Sequence, residues 1–232
     1  MNLGIEGKKA LVTGASKGLG KSIALLLIDE GVDVIAISRS EIDYDATHIK
    51  CDLNKKIPDL KNYGIDIIVN NLGGDVSIRN PICTIDEWYR QFRFNLGINI
   101  MINNQLIPRM QKNKWGRIVN ISSLSSTGSG KASDSYASIK SALNTYTVKL
   151  GKELAKYGIV VSAVMPSGFI YSGNGWDEFR KTRKCEYDNY INEKMPIRRL
   201  GTPEEIAPIV TFLCSQQASY CIGTIVPATG GR

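Results

Sequence analysis

Residues Lys9 to Gly20 read KALVTGASKGLG, an apolar run followed by a loop with three glycines. The apolar run predicts a buried strand. Ser22 to Glu30, which carries a broad apolar face and stops at Gly31, predicts a helix. In a unit of strand, glycine loop and helix, the glycines permit a tight turn and the free N–H groups of the helix attract phosphate. The unit therefore predicts a dinucleotide-binding turn, and a glycine-rich turn without a chemical role is the alternative.

The rest of the chain alternates between apolar strands and helices. Such alternation implies right-handed crossovers and a parallel sheet that is covered on both faces. We therefore expect an α/β fold: a single doubly wound Rossmann-type domain over residues 1–232, with about seven parallel strands and helices on both faces. The predicted strands are Lys9–Val12, Asp33–Ile37, Thr47–Cys51, Ile65–Val69, Gly116–Ile121, Ile159–Met165 and Thr224–Ala228, and the further predicted helices are Thr84–Lys112, Asp134–Tyr157 and one opened by Thr202 and Pro203.

The composition is that of an ordinary globular protein, with 43% hydrophobic and 22% charged residues in a chain of 232. No run of about 18 apolar residues occurs, and the N-terminus lacks the pattern of a signal peptide, so we expect no membrane association. The five cysteines form no C-x-x-C pair and the chain has one histidine, His48, which we interpret as structural. We therefore expect reduced thiols, no metal site and a cytoplasmic location.

The net charge of +7 raises the question of a nucleic acid or another anionic ligand. The basic residues are scattered along the chain and no Lys/Arg tract exceeds two in a row. This pattern is typical of a solvated surface, so we expect no nucleic acid as partner.

Three residues in the second half of the chain suggest acid/base chemistry. Tyr136 and Lys140 stand four residues apart, and Ser123 precedes Tyr136 by thirteen. On a helix, residues four apart share one face, so the ammonium group would lie near the phenol. A nearby cation favours the phenolate, and we expect it to lower the tyrosine pKa from its usual value of about 10. A surface helix that carries an aromatic residue and a charge on one face is the alternative.

The end of the second predicted strand bears on the choice of cofactor. Sites that choose NAD usually carry an acidic residue there, which binds the ribose 2′-hydroxyl. This chain instead reads Ser38-Arg39-Ser40, with no acid before Glu41. Arg39, together with Lys17, would suit a 2′-phosphate, so we expect NADP(H), while NAD(H) stays open. A solvated charge at a strand end is the alternative for Arg39.

Taken together, these motifs resemble the short-chain dehydrogenase/reductase family over nearly the whole chain. The similarity is greatest to 3-oxoacyl-carrier-protein reductases and related sugar or polyol dehydrogenases. The family's Thr-Gly-x-x-x-Gly-x-Gly stands at Thr13 to Gly20, and its Asn-Asn-Ala-Gly stands as Asn70 to Gly73. Its helical asparagine matches Asn95, its Ser, Tyr and Lys match the three residues above, and the stretch after its lid is similar to Arg199 to Ala207.

The resemblance implies an oxidoreductase that interconverts a secondary alcohol and a ketone. It implies that Tyr136 is the general acid/base, Lys140 holds the nicotinamide ribose and lowers the tyrosine pKa, and Ser123 binds the substrate oxygen. It also implies that Asn95 positions a water that links Lys140 to solvent. The cofactor-binding residues it implies are Gly14, Ser16, Lys17, Gly18, Leu19, Gly20, Ser38, Arg39, Asp52, Leu53, Asn71, Gly73, Tyr136, Lys140, Ile170 and Ser172.

The chain departs from the family pattern at three places. Leu72 replaces the family's small alanine beside the adenosine ribose. An additional residue, Ser167, stands between Pro166 and Gly168, which leaves the alignment of Ser172 with the family's threonine open. The segment from Ser40 to Ala46 is too short for the usual crossover helix, so we expect a loop or a single turn there.

The stretch from about 171 to 195 interrupts the alternation and is rich in charge and aromatic residues. We interpret it as an irregular substrate lid near the carboxyl edge of the sheet. Its cations could recognise an anionic substrate, but we favour a solvated helix face balanced by nearby acids. Its aromatic residues could line the substrate pocket or anchor the lid.

Two further expectations concern partners and rival functions. The long helices carry apolar residues on more than one side, and in the family the matching helices form an interface, so we expect a homo-oligomer, either a dimer or a tetramer. A non-enzymatic dinucleotide sensor or assembly protein on the same fold is the rival to the enzyme, because fold alone does not fix function. The substrate stays open among 3-oxoacyl, keto-sugar and nucleotide-sugar types.

Overall fold

A computed structural model of the chain describes residues 1–76, 82–130 and 132–232. Its centre is one parallel sheet of seven strands in the order β3-β2-β1-β4-β5-β6-β7. The expected doubly wound α/β sheet is thereby confirmed. The strands are β1 (Lys9–Thr13), β2 (Asp33–Ser38), β3 (Thr47–Lys50), β4 (Ile67–Asn70), β5 (Gly116–Ile121), β6 (Ile159–Pro166) and β7 (Ile225–Ala228).

Helices cover both faces of the sheet and pack on two separate apolar clusters. One cluster joins the sheet to α1 and α7 through residues such as Ile23 and Val210, and the other joins it to α3 through residues such as Ile98 and Leu106. The helices are α1 (Gly18–Asp29), α2 (Ile85–Phe92), α3 (Ile98–Asn113), α4 (Asp134–Leu154), α5 (Gly175–Thr182), α6 (Lys184–Lys194) and α7 (Pro203–Leu213), with short 3-10 turns at Lys61–Tyr63, Leu124–Thr127 and Ala155–Tyr157.

The first helix begins earlier than predicted, at Gly18 instead of Ser22. The reason is that Gly18 and Gly20 lie inside the first helical turn, where glycine has a low helix propensity and hides the boundary from a sequence pattern. The start of α7 is confirmed: Thr202 and Glu205 form a capping box, and Pro203 occupies the first turn.

The predicted long helix from Thr84 to Lys112 is a continuous helical segment with one wide π turn at Arg93–Gly97 between α2 and α3. Thr84 caps it with Glu87 as its capping-box partner. A π turn inserts one extra residue into a helix and is often found at functional sites. Asn95 lies in the middle of this π turn.

Two expectations about connections have opposite outcomes. The segment from Ser40 to Ala46 contains no helix, as predicted, and the Tyr44 hydroxyl donates to the Ala15 carbonyl at 2.8 Å, which ties this loop to the glycine loop. The stretch 171–195 was expected to be irregular, but it instead contains two helices, α5 and α6. The prediction was wrong because Asn174 caps α5 with its side chain, and i,i+3 and i,i+4 ion pairs then support both helices.

The topology determines where a ligand can bind. The chain runs outward from β1 through β2 to β3 and then crosses back to place β4 on the other side of β1, so the strand order reverses between β1 and β4. In open parallel sheets, ligands bind outside the carboxyl ends of the strands at such a reversal. None of the helices in the described ranges is long and apolar enough to cross a membrane.

Candidate active site

A cavity of about 1510 Å³ opens at the carboxyl edge of the sheet, at the reversal between β1 and β4. Most of the residues predicted for the cofactor and for catalysis meet in its wall. Those in the wall are Gly14, Ser16, Lys17, Leu19, Gly20, Ser38, Arg39, Asp52, Leu53, Asn71, Gly73, Ser123, Tyr136 and Lys140.

The glycine loop packs so closely against its own backbone and the segment after β4 that a side chain at Gly20 does not fit. A Cβ at Gly20 would lie 2.5 Å from Asn71 Nδ2 and even closer to the Gly14 carbonyl oxygen. Asn71 Nδ2 donates to Thr13 O at 2.8 Å, and the Asn71 amide donates to Thr13 Oγ1 at 3.1 Å. The loop is therefore locked to the segment after β4, with the start of α1 facing the cavity, as an anion site requires.

Gly18 is in the left-handed region, at φ +56°, and the ring of Tyr171 covers it: a Cβ there would lie 2.6 Å from the ring. Gly18 is not among the residues of the cavity wall. The first residue of the lid therefore packs directly on the predicted phosphate loop.

Two basic residues flank the cavity at the end of β2 and in the glycine loop. Arg39 and Lys17 are both exposed, and within residues 1–76, 82–130 and 132–232 no carboxylate forms an ion pair with Arg39. Ser38 is buried and donates to Ser40 O at 2.6 Å, with His48 Nε2 at 2.9 Å. The structural interpretation of His48 agrees with this contact, because the ring supports the turn that carries Arg39.

Lys140 is the buried cation at the centre of the site. Its side chain is 3% exposed, and Nζ donates to the Ile121 carbonyl at 2.8 Å. Nζ lies 5.7 Å from the centre of the Tyr136 ring. A methyl group at Gly73 would lie 3.0 Å from Nζ and 2.8 Å from Asn95 Oδ1. Only glycine therefore fits at residue 73, between the ammonium group and the asparagine.

Protonation in the structure differs from the expectation of a lowered tyrosine pKa. Burial raises the pKa of Tyr136 to about 12, while contact with Ser123 lowers it and the charge of Asp75 raises it further. Burial lowers the pKa of Lys140 to about 7. The expectation was wrong because it assumed a permanently charged lysine, whereas burial discourages charge on both groups. At neutral pH, Tyr136 is therefore a protonated phenol.

Asn95 does not line the cavity but lies behind Gly73 and Gly74. Its Oδ1 accepts from the Gly74 amide at 2.9 Å, and its Nδ2 donates to Gly74 O at 3.0 Å and to Gln91 Oε1 at 2.8 Å. The π turn presents this side chain to the segment after β4.

The lid supplies the remaining wall of the cavity. Trp176, Phe179 and Tyr190 line it, and Trp176 packs on Tyr190 with ring centres 4.9 Å apart, so these aromatic residues both line the pocket and hold the lid together. The lid cations are paired, as favoured: Arg180 and Lys181 contact Asp177 at 2.9 and 2.7 Å. Arg183 pairs with Glu186 and Lys184 with Asp188.

Besides Gly18, two further predicted cofactor contacts, Ile170 and Ser172, lie outside the wall. The Ile170 amide already donates to Gly201 O at 2.9 Å, its side chain packs against the lid cluster, and Ser172 does not line the cavity. Conversely, sequence reasoning missed Asp75, which lines the cavity two residues beyond Gly73. The sequence feature that could have identified Asp75 is its position directly after Gly73 and Gly74, in the segment that follows the buried strand β4.

Comparisons with known proteins find similar proteins over nearly the whole chain. Residues 14–232 match the family model described as enoyl-(acyl carrier protein) reductase. The chain is 31% identical to the 3-oxoacyl-[acyl-carrier-protein] reductase FabG of Aquifex aeolicus, over 100% of this chain and 99% of that protein. It is 32% identical to a 7alpha-hydroxysteroid dehydrogenase of Paraclostridium sordellii, over 98% and 92% of the two chains. A crystal structure of a putative 2-deoxy-d-gluconate 3-dehydrogenase from Agrobacterium tumefaciens with bound NADP is similar at a TM-score of 0.87 and 30% identity, covering 99% and 98%.

The lowered pKa of Lys140 predicts how stability depends on pH. Since the pKa falls from 10.5 to about 7 on folding, the unfolded chain binds more protons between these values, and stability rises with pH across that window. Lys140→Met removes the effect. The free energy of urea unfolding of the wild type, minus that of the variant, should therefore increase from pH 7 to pH 9. Lys149→Met, on the exposed side of the same helix, should show no such trend; a flat or falling difference for Lys140→Met would contradict the burial argument.

Proposed function

The chain belongs to the short-chain dehydrogenase/reductase family of oxidoreductases, and we propose that it is an NADP(H)-dependent enzyme that interconverts a secondary alcohol and a ketone. The observation that carries this proposal is the placement of Ser123, Tyr136 and Lys140 in the wall of the cavity that the glycine loop opens. A hydroxyl and a phenol that converge on one site can stabilise the negative charge that develops on a carbonyl oxygen.

Each residue has a role that follows from its position. Tyr136 donates its proton to the carbonyl oxygen during reduction and takes it back from the alcohol during oxidation. Ser123, which contacts the phenol, binds the same oxygen. Lys140 holds a ribose hydroxyl and returns a proton to Tyr136. The bound nicotinamide supplies or accepts the hydride. Burial raises the pKa of Tyr136, so the phenol carries the proton that ketone reduction requires.

The residues present fit a nicotinamide dinucleotide with a 2′-phosphate. The glycine loop and the start of α1 would hold the pyrophosphate. Asp52 and Leu53, which follow β3 and line the cavity, would flank the adenine. Arg39 and Lys17 would pair with the 2′-phosphate. A similar protein of 30% identity binds NADP, which supports this choice.

The substrate is a small molecule that fits under an aromatic lid. The relatives act on chemically different compounds by name, an acyl-carrier-protein thioester and a steroid among them, so the shared residues define the reaction and not the substrate. We propose that residues 171–195 select it, because α5 and α6 form the outer wall of the cavity. Candidates stay open among 3-oxoacyl, keto-sugar and nucleotide-sugar types.

The central test is Tyr136→Phe. Loss of the phenol removes the proton donor, and because positioned acid/base groups contribute about 10²- to 10⁴-fold, NADPH oxidation should fall at least about a hundredfold. The measurement is a rate screen over 3-oxoacyl thioesters, keto sugars and nucleotide-linked keto sugars, with NADPH affinity by fluorescence unchanged in the variant.

Tyr146→Phe is the matched control, since Tyr146 lies on the same helix but its hydroxyl accepts from Asn103. It should stay active. Full activity of Tyr136→Phe would exclude the mechanism. NADPH binding without turnover of any compound by the wild type would instead favour a dinucleotide sensor.

A second test concerns the 2′-phosphate. Arg39→Ala removes a charge-assisted contact of about 1.5–3 kcal/mol, so the KM for NADPH should rise about tenfold or more while the KM for NADH changes little. Lys61→Ala removes an equal charge at the opposite edge of the sheet and should change neither constant. A wild-type preference for NADH would overturn the choice of NADP(H).

We further propose a homo-oligomer, dimer or tetramer, in which α2 contacts a second copy. Ile85, Tyr89 and Phe92 are spaced four and three residues apart on α2 and are 64%, 65% and 43% exposed. A continuous exposed apolar stripe of this kind usually marks an interface.

Sedimentation should therefore give a multiple of the 25.5 kDa chain mass. Tyr89→Lys should shift the population toward the monomer, because a charge would be buried in the contact. Tyr63→Lys, at an exposed turn before β4, should leave the mass unchanged. A wild-type monomer at micromolar concentration would refute the proposal.

A further inference from the structure

Asp75 forms a hydrogen-bonded bridge between two helices at the edge of the active site. Its carboxylate accepts from the Ser133 amide and the Ser133 hydroxyl, each at 2.8 Å, and from Gln91 Nε2 at 2.7 Å. Ser133 is the N-cap of α4, and Gln91 is a fully buried residue of α2. One carboxylate thus joins the start of the helix that carries Tyr136 and Lys140 to the helix that leads into Asn95.

The chemistry of these groups gives the bridge a direction. An ionised carboxylate can only accept hydrogen bonds, so Gln91 must turn its NH₂ group toward Asp75. Gln91 Oε1 then faces Asn95 and accepts from Asn95 Nδ2 at 2.8 Å. The amide of Asn95 is thereby fixed, with Oδ1 on the opposite side.

The oxygen of the Asn95 amide lies near Lys140. Oδ1 accepts from the Gly74 amide at 2.9 Å, and a methyl group at Gly73 would lie 2.8 Å from Oδ1 and 3.0 Å from Lys140 Nζ, so both atoms border the same small space. A carbonyl oxygen near an ammonium group is favourable, whereas the NH₂ group of a flipped amide would repel it. The backbone of Gly74 sets the same orientation, because its amide donates to Oδ1 and its carbonyl accepts from Nδ2, and the bond to Gln91 reinforces it.

The other end of the bridge supports the tyrosine. Ser133 Oγ accepts from the Tyr136 amide at 3.2 Å, which caps the first turn of α4. Since the same hydroxyl donates to Asp75, its lone pairs are turned toward the helix. Asp75 thus constrains the turn from which the Tyr136 side chain projects.

We propose that Asp75 is a positioning residue for the acid/base step, because its carboxylate holds the Gln91 side chain that contacts Asn95 and anchors the first turn of α4. The inference rests on the proposed oxidoreductase function and adds to it a residue that touches neither of the reacting atoms.

The charge of Asp75 has a second consequence. It raises the pKa of Tyr136, beyond the larger effect of burial, while Ser123 opposes both. The other groups near Tyr136 among the described residues are Lys140 on its own helix and Cys83, which faces Ser135 from the segment before α2. The charged residues of the lid side of the cavity are Glu178, Arg183, Glu186, Glu193, Lys194 and, from the C-terminus, Arg232.

The first test is the pH profile of Asp75→Asn. Removing the negative charge should lower the pKa of Tyr136. The rate of ketone reduction falls at high pH, where the phenol loses its proton, and this alkaline limb should therefore move to lower pH. The rate of alcohol oxidation, which needs the phenolate, should rise at lower pH than in the wild type. Asp134→Asn removes an exposed carboxylate from the first turn of the same helix and should leave both limbs in place.

The second test separates the effect of the charge from that of the relay, the hydrogen bonds that run from Asp75 through Gln91 to Asn95. Gln91→Met keeps the volume and the carboxylate but breaks the link from Asp75 to Asn95. We expect kcat to fall about ten- to a hundredfold, the scale of a small misplacement in an active site, with the tyrosine limb unmoved. Rates of Asp75→Asn and Gln91→Met equal to the wild type, with unmoved limbs, would overturn the proposal.

Two further measurements keep the result interpretable. Thermal unfolding shows whether each variant is folded, and if Asp75→Asn is not, Gln91→Met alone decides the role of the relay.

If the wild type binds NADPH but reduces none of the compounds, the proposed function fails on its own. The Asp75 proposal is then decided by phenolate absorbance: the tyrosine titration, with Tyr136→Phe subtracted, should begin at lower pH in Asp75→Asn, and an identical curve would reject it.

Discussion

The burial of the Lys140 ammonium group is the constraint on which the rest of the site depends. A cation taken out of water is costly unless acceptors surround it or it gives up its proton, and both responses are visible here. The Ile121 carbonyl at the end of β5 accepts from Nζ, and the pKa of the lysine falls to about 7. Gly73 carries no side chain, and a Cβ there would crowd both Nζ and Asn95 Oδ1. Three parts of the chain lie around this nitrogen: the end of β5, the segment after β4 and the π turn.

Much of the fold could be predicted because its signals are local and repeated. Apolar runs such as Asp33 to Ile37 are central parallel strands, and their alternation with helices sets the topology. The failures arose where a local signal was weak or misleading. Gly18 and Gly20 begin a helix although glycine disfavours helices, because the phosphate loop needs their backbone. The lid is helical because Asn174 and Asp177 supply a cap and ion-pair partners that a search for apolar periodicity overlooks.

The sequence predicted most of the residues that line the candidate site, but it did not predict their protonation. Tyr136 and Lys140 share a helix face, as their spacing requires, yet their pKa values depend on burial by segments far away in sequence. Asp75 escaped for a related reason. Its partners Gln91 and Ser133 lie 16 and 58 residues away, and nothing in a linear pattern joins them. The roles of these residues in catalysis stay predictions that the variants above address.

In a polar interior of this kind, the hydrogen bonds constrain one another's direction. Neutral amides can point either way, so a chain of them specifies no direction until one end is fixed by a group that can only accept or only donate. Asp75 is such a group at one end, because an ionised carboxylate only accepts. The Gly74 backbone is the fixed partner at the other end, because its amide only donates and its carbonyl only accepts. Between them, Gln91 and Asn95 have a single orientation that satisfies both ends. The carboxylate at the edge of the cavity and the backbone after β4 therefore order these two amides in the same sense.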